Sequence, residues 1–246
     1  MDGFLTKKKI GSREFSTKSY NSNCLNLVIW GTNLGSTAGE NFNLKELALT
    51  QLAPYQYSTI IGLMLSDGWM MFSSKRSKNI RFGFAQSDGN FKYFWYVFCI
   101  LSHYCSSYPI IRIRSKKGSD TIQRSWQLFT RSMPCLNEIN LLFYPNGIKL
   151  VPYNIYELLT PVALAHLVMG DGKKTPFGLI LCTDSYSVED VVKLMNVLII
   201  KYRLECTLRF HTPSQPRIYI REGSMSLLRQ IVKPYMCPSM LYKIKL

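Results

Sequence analysis

Ile61-Gly62-Leu63-Met64-Leu65-Ser66-Asp67-Gly68 is an apolar run that stops at an acid followed by glycine, and Leu164-Ala165-His166-Leu167-Val168-Met169-Gly170-Asp171-Gly172 repeats it. In the first, Gly62 and Ser66 stand four positions apart; in the second, His166 and Gly170 take the matching places. Residues at this spacing share one helix face, and small ones let two helix backbones approach closely. Packed about a pseudo-twofold axis, such helices bring Asp67 and Asp171 side by side at their C-terminal ends. A helix C-terminus already carries partial negative charge, so each acid there costs a few tenths of a kcal/mol to about 1, before mutual repulsion is added. A divalent cation with oxygen ligands is the simplest group that offsets both, which makes Asp67, Asp171 and the adjoining Ser66 and Gly170 the metal-ligating candidates. Gly68 and Gly172 are expected to end the helices in the left-handed C-cap conformation, turning backbone carbonyls toward the ion.

Outward from these helices the chain reads as one unit written twice. A helix over 58–68 leads to a strand over 80–86, an aromatic helix near 91–103, alternating strands over 110–114 and 125–130, and a closing helix introduced by Arg131-Ser132-Met133-Pro134. A helix over 162–172 leads in the same order to a strand over 178–182, a helix over 188–201, strands over 206–211 and 217–221, and a helix toward Lys233-Pro234. Each copy is α-β-β-α-β-β-α with mostly antiparallel strands, so the class is α+β, with two pseudo-symmetric repeats joined through the paired helices. The first copy is longer, and loops such as Ser115-Lys116-Lys117-Gly118-Ser119-Asp120 absorb the surplus. The expected divisions are a basic, weakly ordered leader over 1–50, a first repeat over 51–148 and a second over 149–246.

Thirty Lys and Arg against fifteen Asp and Glu give a formal charge of +15, which calls for a polyanionic partner. No apolar run reaches the roughly 18 residues of a membrane span; the best, Phe91 to Cys105, is broken by Lys92, Ser102 and His103. Seven scattered cysteines with no Cys-x-x-Cys pair, and only three histidines, argue against a disulfide framework and a structural zinc site. The leader contains Lys7-Lys8-Lys9 but also Asp2 and Glu14, and no apolar segment of a signal peptide follows.

The paired runs resemble the two signature helices of the LAGLIDADG homing endonucleases, in the single-chain, double-motif form of organellar group I introns. Lys149-Leu150-Val151-Pro152 before the second motif and Met240-Leu241-Tyr242-Lys243 near the C-terminus match segments of the fungal mitochondrial branch. His166 replaces the family's usual small residue, and Leu65 and Met169 replace its first, non-catalytic acid. The resemblance implies a site-specific endonuclease that cuts both strands of a long DNA target and leaves short 3′ overhangs. It implies Asp67 and Asp171 as metal-holding catalytic residues, Mg²⁺ as cofactor with Mn²⁺ as an alternative, and Lys149 and Lys243 as catalytic lysines at the phosphate. It also implies a mitochondrial location and a monomer, since the internal repeat supplies the twofold relation that a two-strand cut requires. The rival on the same fold is an intron maturase that binds group I intron RNA, with or without cleavage activity. A restriction-like site built on Asp171-Gly172-Lys173 leaves Asp67 unexplained, and a pure DNA-binding repressor leaves both acids without purpose.

The sheets then read as a DNA-binding saddle. In Ile110-Ile111-Arg112-Ile113-Arg114 the basic residues fall on alternate positions, so one face is cationic and the other is expected to be buried; Arg217-Ile218-Tyr219-Ile220-Arg221 repeats the device. Arg and Gln have the donor geometry to read base edges in the major groove. Candidates in the first repeat are Arg81, Gln86, Arg112, Arg114, Gln127 and Arg131; those in the second are Thr183, Arg209, Arg217 and Arg221. Lys75, Arg76, Lys78, Lys116, Lys117, Lys173 and Lys174 are placed in loops as phosphate contacts. Such contacts release counterions, so duplex affinity should fall linearly with salt on logarithmic axes. Anisotropy titrations at several salt concentrations measure that slope, and a flat response would remove the electrostatic reading.

Overall fold

In a computed structural model, residues 35–115 and 122–245 are described. Helix α1 (Leu44–Leu49) opens with a capping box: the Asn43 side chain accepts from the Glu46 amide while Glu46 accepts from the Asn43 amide. It lies within the segment expected to be weakly ordered, as does a strap over 37–42 that Arg131 holds down. The first repeat then runs α2 (Pro54–Met64), β1 (Trp69–Phe72), β2 (Ile80–Ser87), α3 (Phe91–Leu101), β3 (Ile110–Ser115), β4 (Ile122–Phe129) and α4 (Pro134–Phe143). A short helix α5 (Ile155–Leu158) leads to the second: α6 (Pro161–Asp171), β5 (Gly172–Thr175), β6 (Gly178–Leu181), α7 (Val188–Tyr202), β7 (Cys206–Phe210), β8 (Pro216–Arg221) and α8 (Met225–Val232), with a 3₁₀ segment Pro238–Ile244 closing the chain. Two antiparallel sheets of matching order result, β1-β2-β4-β3 and β5-β6-β8-β7.

α2 and α6 are buried almost all round, as helices at the centre of a core are. Proline opens each at its first turn, where no amide donor is needed. They meet through glycine. A methyl group on Gly62 would strike the Ala163 carbonyl and come within 2.7 Å of the His166 Cβ; one on Gly170 would lie 2.5 Å from the Ser66 hydroxyl. The small-residue spacing therefore does in the structure what it promises in the sequence.

His166 is completely buried in this interface, its Nδ1 3.2 Å from the Tyr93 hydroxyl and its ring stacked on Tyr96 with centroids 6.2 Å apart. Burial pushes its pKa down to about 3, so it is a neutral imidazole that fills space. Among the described residues its Nε2 has no hydrogen-bond partner.

Two expectations change. Gly68 and Gly172 are not left-handed: Gly172 is extended, and among the described residues the positive-φ glycines are Gly39, Gly147 and Gly178. They are glycine because a Cβ would collide with the preceding turn, with the Leu63 carbonyl and Phe82 for Gly68 and with the Val168 carbonyl for Gly172. The underside of β3 is not buried either: Ile111 and Ile113 are more than half exposed, because no helix among the described residues covers that end of the sheet. No helix among the described residues is long and apolar enough to cross a membrane.

Because backbone rather than a flexible side chain meets it, Gly62→Ala should lower stability by about 1 to 3 kcal/mol, read as a fall in the urea midpoint at unchanged slope. Arg131→Ala should also destabilise, through loss of the strap.

Candidate active site at the paired helix ends

The two aspartates emerge where α2 and α6 stop, at the centre of the molecule between the sheets. Asp171 is the last residue of α6, half-buried, whereas Asp67 lies three residues beyond α2 and is exposed. Their neighbourhood is tight: the position a Gly170 side chain would occupy is 3.5 Å from Asp67 Oδ2.

Each helix end is clasped by a lysine that follows the closing helix, α4 or α8, of the same half. Lys149 Nζ donates to the carbonyls of Ser66 at 3.1 Å and Gly68 at 2.8 Å. Lys243 Nζ donates to those of Met169 and, at 2.7 Å, Gly170. Carbonyls left over at a helix C-terminus are thereby satisfied, and a positive charge sits under each carboxylate. These bonds are the structure's account of Ser66 and Gly170: their carbonyls serve the lysines. Burial drives the Lys149 pKa down to about 8, against the opposing pull of Asp171 and Asp67, and burial lowers Lys243 in the same way. Asp171 moves the other way, up to about 7, from burial first and the Asp67 charge second, with both lysines opposing.

Asp67 has a partner that Asp171 lacks. Gln86 Nε2 donates to Asp67 Oδ2 at 2.6 Å, and Asn90 Nδ2 donates to Gln86 Oε1 at 3.0 Å, which fixes the amide's orientation. Gln86 pairs across β2–β4 with Trp126, so it faces inward. It belongs to the helix-end cluster and is not a groove reader. Thr183 occupies the corresponding place in the second repeat but is completely buried, its hydroxyl donating to the Pro216 carbonyl at 2.7 Å. Arg131 also leaves the reading face. Its guanidinium is tied to the carbonyls of Thr37, Glu40 and His103 and lies 3.8 Å over the Phe42 ring.

The remaining candidates fall on the open faces of the sheets. Arg112 and Arg114 stand opposite Ser125 and Gln123, on the same side as Gln127 and Arg81. With Trp69 and Phe129 these basic residues line a concavity of about 410 Å³, and Arg81 stacks 4.0 Å over Phe129. Gln127 is buried there, its Oε1 without a partner among the described residues. In the second sheet Arg209 pairs with Arg217 and stacks 3.5 Å over Tyr219. Arg217 is already engaged by Asp184 through two 2.6 Å bonds, and Arg221 lies 3.9 Å from Glu205. Lys173 and Lys174 are in strand β5 and not in a loop; Lys116 and Lys117 lie outside the described residues. Tyr186, which the sequence reading passed over, donates from the second repeat to the carbonyls of Met64 and Leu65, both at 3.3 Å, and so helps end α2.

Among the described residues no three His, Cys, Asp or Glu side chains converge. Two carboxylates alone suit a hard cation that keeps waters and takes phosphate oxygens as further ligands, as Mg²⁺ does. The charge of such a cation would offset both the burial of Asp171 and the repulsion from Asp67.

Comparison with known proteins places this geometry. The sequence profile of the LAGLIDADG DNA endonuclease family matches residues 57–228. The chain belongs to that family. It is 34% identical over 199 residues to the cytochrome b mRNA maturase bI2 of Saccharomyces cerevisiae, covering 76% of this chain and 46% of the relative. It is 28% identical over 204 residues to the probable intron-encoded endonuclease 1 of Wickerhamomyces canadensis, covering 79% and 86%. The chain thus spans about half the length of the yeast maturase it matches. The solved structure of the homing endonuclease I-WcaI bound to its DNA recognition sequence superposes with a TM-score of 0.75 at 26% identity, covering 88% of this chain and 98% of that one. The expected fold, two pseudo-symmetric α+β repeats, is the LAGLIDADG fold.

The raised Asp171 pKa makes a prediction with a definite sign. Folded Asp171 holds its proton more tightly than the unfolded chain does, so without metal the native state loses stability as pH rises from 3.8 through about 7. In chelator, Asp171→Asn should therefore melt above the parent at pH 8, by roughly 1 to 3 kcal/mol, with the gap closing near pH 4. Thermal melts across that range measure it.

Proposed function

We propose that the chain is an intron-homing endonuclease that cuts both strands of a specific DNA duplex by metal-dependent hydrolysis of phosphodiester bonds. One observation supports this above the others: two carboxylates meet at a pseudo-twofold axis between two basic antiparallel sheets, the arrangement that two strands of one duplex require. On this reading the sheets lie in the major groove on either side of the site. Arg81, Arg112, Arg114, Gln127 and Arg209 then face base edges, while Lys75, Arg76, Lys78 and Lys173 meet phosphates.

Asp67 and Asp171 would hold the divalent ions, and a bound ion supplies Lewis-acid polarisation of the scissile phosphate and a more acidic water. The chain's own residues do the rest. Gln86, locked by Asn90, orients the Asp67 carboxylate. Lys149 and Lys243, held by helix carbonyls, place positive charge beside each phosphate as negative charge builds there. The products carry short 3′ overhangs, in keeping with the family resemblance. The gene's home is a mitochondrial intron, a reading supported by the cytochrome b maturase relatives.

The same maturase relatives favour a second reading, assistance to group I intron splicing, which the sheets' charge would equally serve. The deciding experiment incubates intron-free mitochondrial DNA with the protein and Mg²⁺ and maps the ends by sequencing. A unique double-strand break is expected, abolished by chelator and by the Asp67→Asn/Asp171→Asn double variant. Cleavage unchanged in that variant would sink the assignment. Selective binding of intron RNA with no break would install the maturase reading.

A further inference from the structure

The two repeats share their motif helices, aspartates and lysine clasps, but one corner of the second differs from its counterpart. A cleft of about 820 Å³ opens between β5 and the C-terminal 3₁₀ segment, lined among others by Lys173, Lys174, Thr175, Tyr242, Lys243 and Lys245. The matching positions in the first repeat are apolar: Trp69 and Met70 follow Asp67 where Lys173 and Lys174 follow Asp171, and Ile148 and Val151 flank Lys149 where Tyr242 and Lys245 flank Lys243. There Met70 and Val151, the counterparts of Lys174 and Lys245, are buried, and the exposed counterpart of Tyr242 is the aliphatic Ile148. Neither the fold nor a cut shared by both halves therefore requires the basic cleft.

Its chemistry suits an unpaired strand better than a duplex. Lys173 stands opposite Ile180, which pairs with Tyr219 on the open face, whereas Lys174 stands opposite the buried Leu179 and points to the other side of the sheet edge. The lysines thus wrap around the edge of β5, and a duplex lying on the open face does not reach Lys174. Lys243 is committed to the carbonyls of Met169 and Gly170 beneath Asp171, and Lys245 to Glu222 and the Pro176 carbonyl, whereas Lys173 and Lys174 have no acidic partner among the described residues. Tyr242 is half exposed, an aromatic ring on the wall of the same cleft as Lys173 and Lys174. The Thr175 hydroxyl at the wall is buried without a partner among the described residues, a donor that a phosphate oxygen would satisfy after a rotamer change.

We propose that this cleft binds a single-stranded nucleic-acid segment, its base stacked on Tyr242 and its phosphates held by Lys174 and, at the rim shared with the open face, by Lys173. The proposal rests on the nucleic-acid reading of the protein and extends it to a site off the duplex. Strands of two origins share this chemistry: the unpaired end left beside Asp171 after cutting, and unpaired intron RNA.

Labelled oligothymidine and oligouridine strands of about 12 nucleotides, titrated by anisotropy into the full chain, test the site. Both should bind, and Tyr242→Ala should weaken binding roughly tenfold, with Tyr242→Phe restoring it. Lys174→Glu should weaken it at least as much and flatten the salt dependence. Tighter DNA binding assigns the cleft to the cut end, tighter RNA binding to the intron, and both support the site. Affinities indifferent to all three variants, or full displacement of the strand by an equal-length duplex, overturn it. A preparation that cuts duplex but fails these titrations loses only the cleft. One that binds strands through Tyr242 yet cuts nothing loses the endonuclease reading.

Discussion

The close approach of α2 and α6 is the constraint from which the rest of the molecule follows. At Gly62 the partner is backbone, the Ala163 carbonyl, so there is no side chain to yield. At Gly170 it is Ser66, whose hydroxyl turns back to the Gly62 and Leu63 carbonyls of its own helix and stays out of the way. With the axes fixed at this distance, the aspartate that ends one helix is carried to the other, and each sheet is hung symmetrically from the pair. His166 is the adjustment: where a small residue would have left space, an uncharged ring packed on Tyr93 and Tyr96 fills it.

That geometry creates an electrostatic conflict. Two acids stand at two helix C-termini, each with unpaired carbonyls beneath, in a partly buried place. Lys149 and Lys243 relieve the carbonyls directly and the acids only in part, since burial lowers the lysines themselves. A cluster in which an acid is pushed up and its neighbouring lysine down is poised for charge to be added from outside, as a cation, or from substrate, as a phosphate. The strain is local and is balanced by core burial on both sides of it.

Much of this was legible in the sequence, because the strongest signals were repeated ones. The Asp-Gly stop after an apolar run means little once and a great deal twice, and the lysines following each closing helix lie against the two helix ends. What was misread has a parity explanation. Residues 81 and 86 cannot share a face of one strand, since side chains alternate, so grouping Gln86 with Arg81 was inconsistent with the period of the strand itself. Thr183 inherits the same error at the corresponding position. Arg131 lies past the end of β4, where the strand's period no longer applies and where its partners, the carbonyls of residues 37, 40 and 103, are far away in sequence. Strand β5 escaped because Gly-Lys-Lys-Thr has no alternation; it is extended only because β6 pairs with it.

The departures from symmetry are as informative as the symmetry. Elements present in both repeats, the glycine contact, the aspartate and the lysine clasp, are those needed once per strand if two strands are cut. Elements present in one alone fall at the margins of the site: Gln86 with Asn90 in the first repeat, the basic cleft and the Asp184-bound Arg217 in the second. A duplicated gene whose halves had only to cut alike would be free to keep the same residues at both margins. Asp67, exposed and held by an amide, and Asp171, half-buried and unsupported by one, are instead different acids in different settings. A single chain can hold such a difference where a dimer of identical subunits cannot, and the proposed target, a long asymmetric duplex, is the kind of partner against which unequal halves are an advantage.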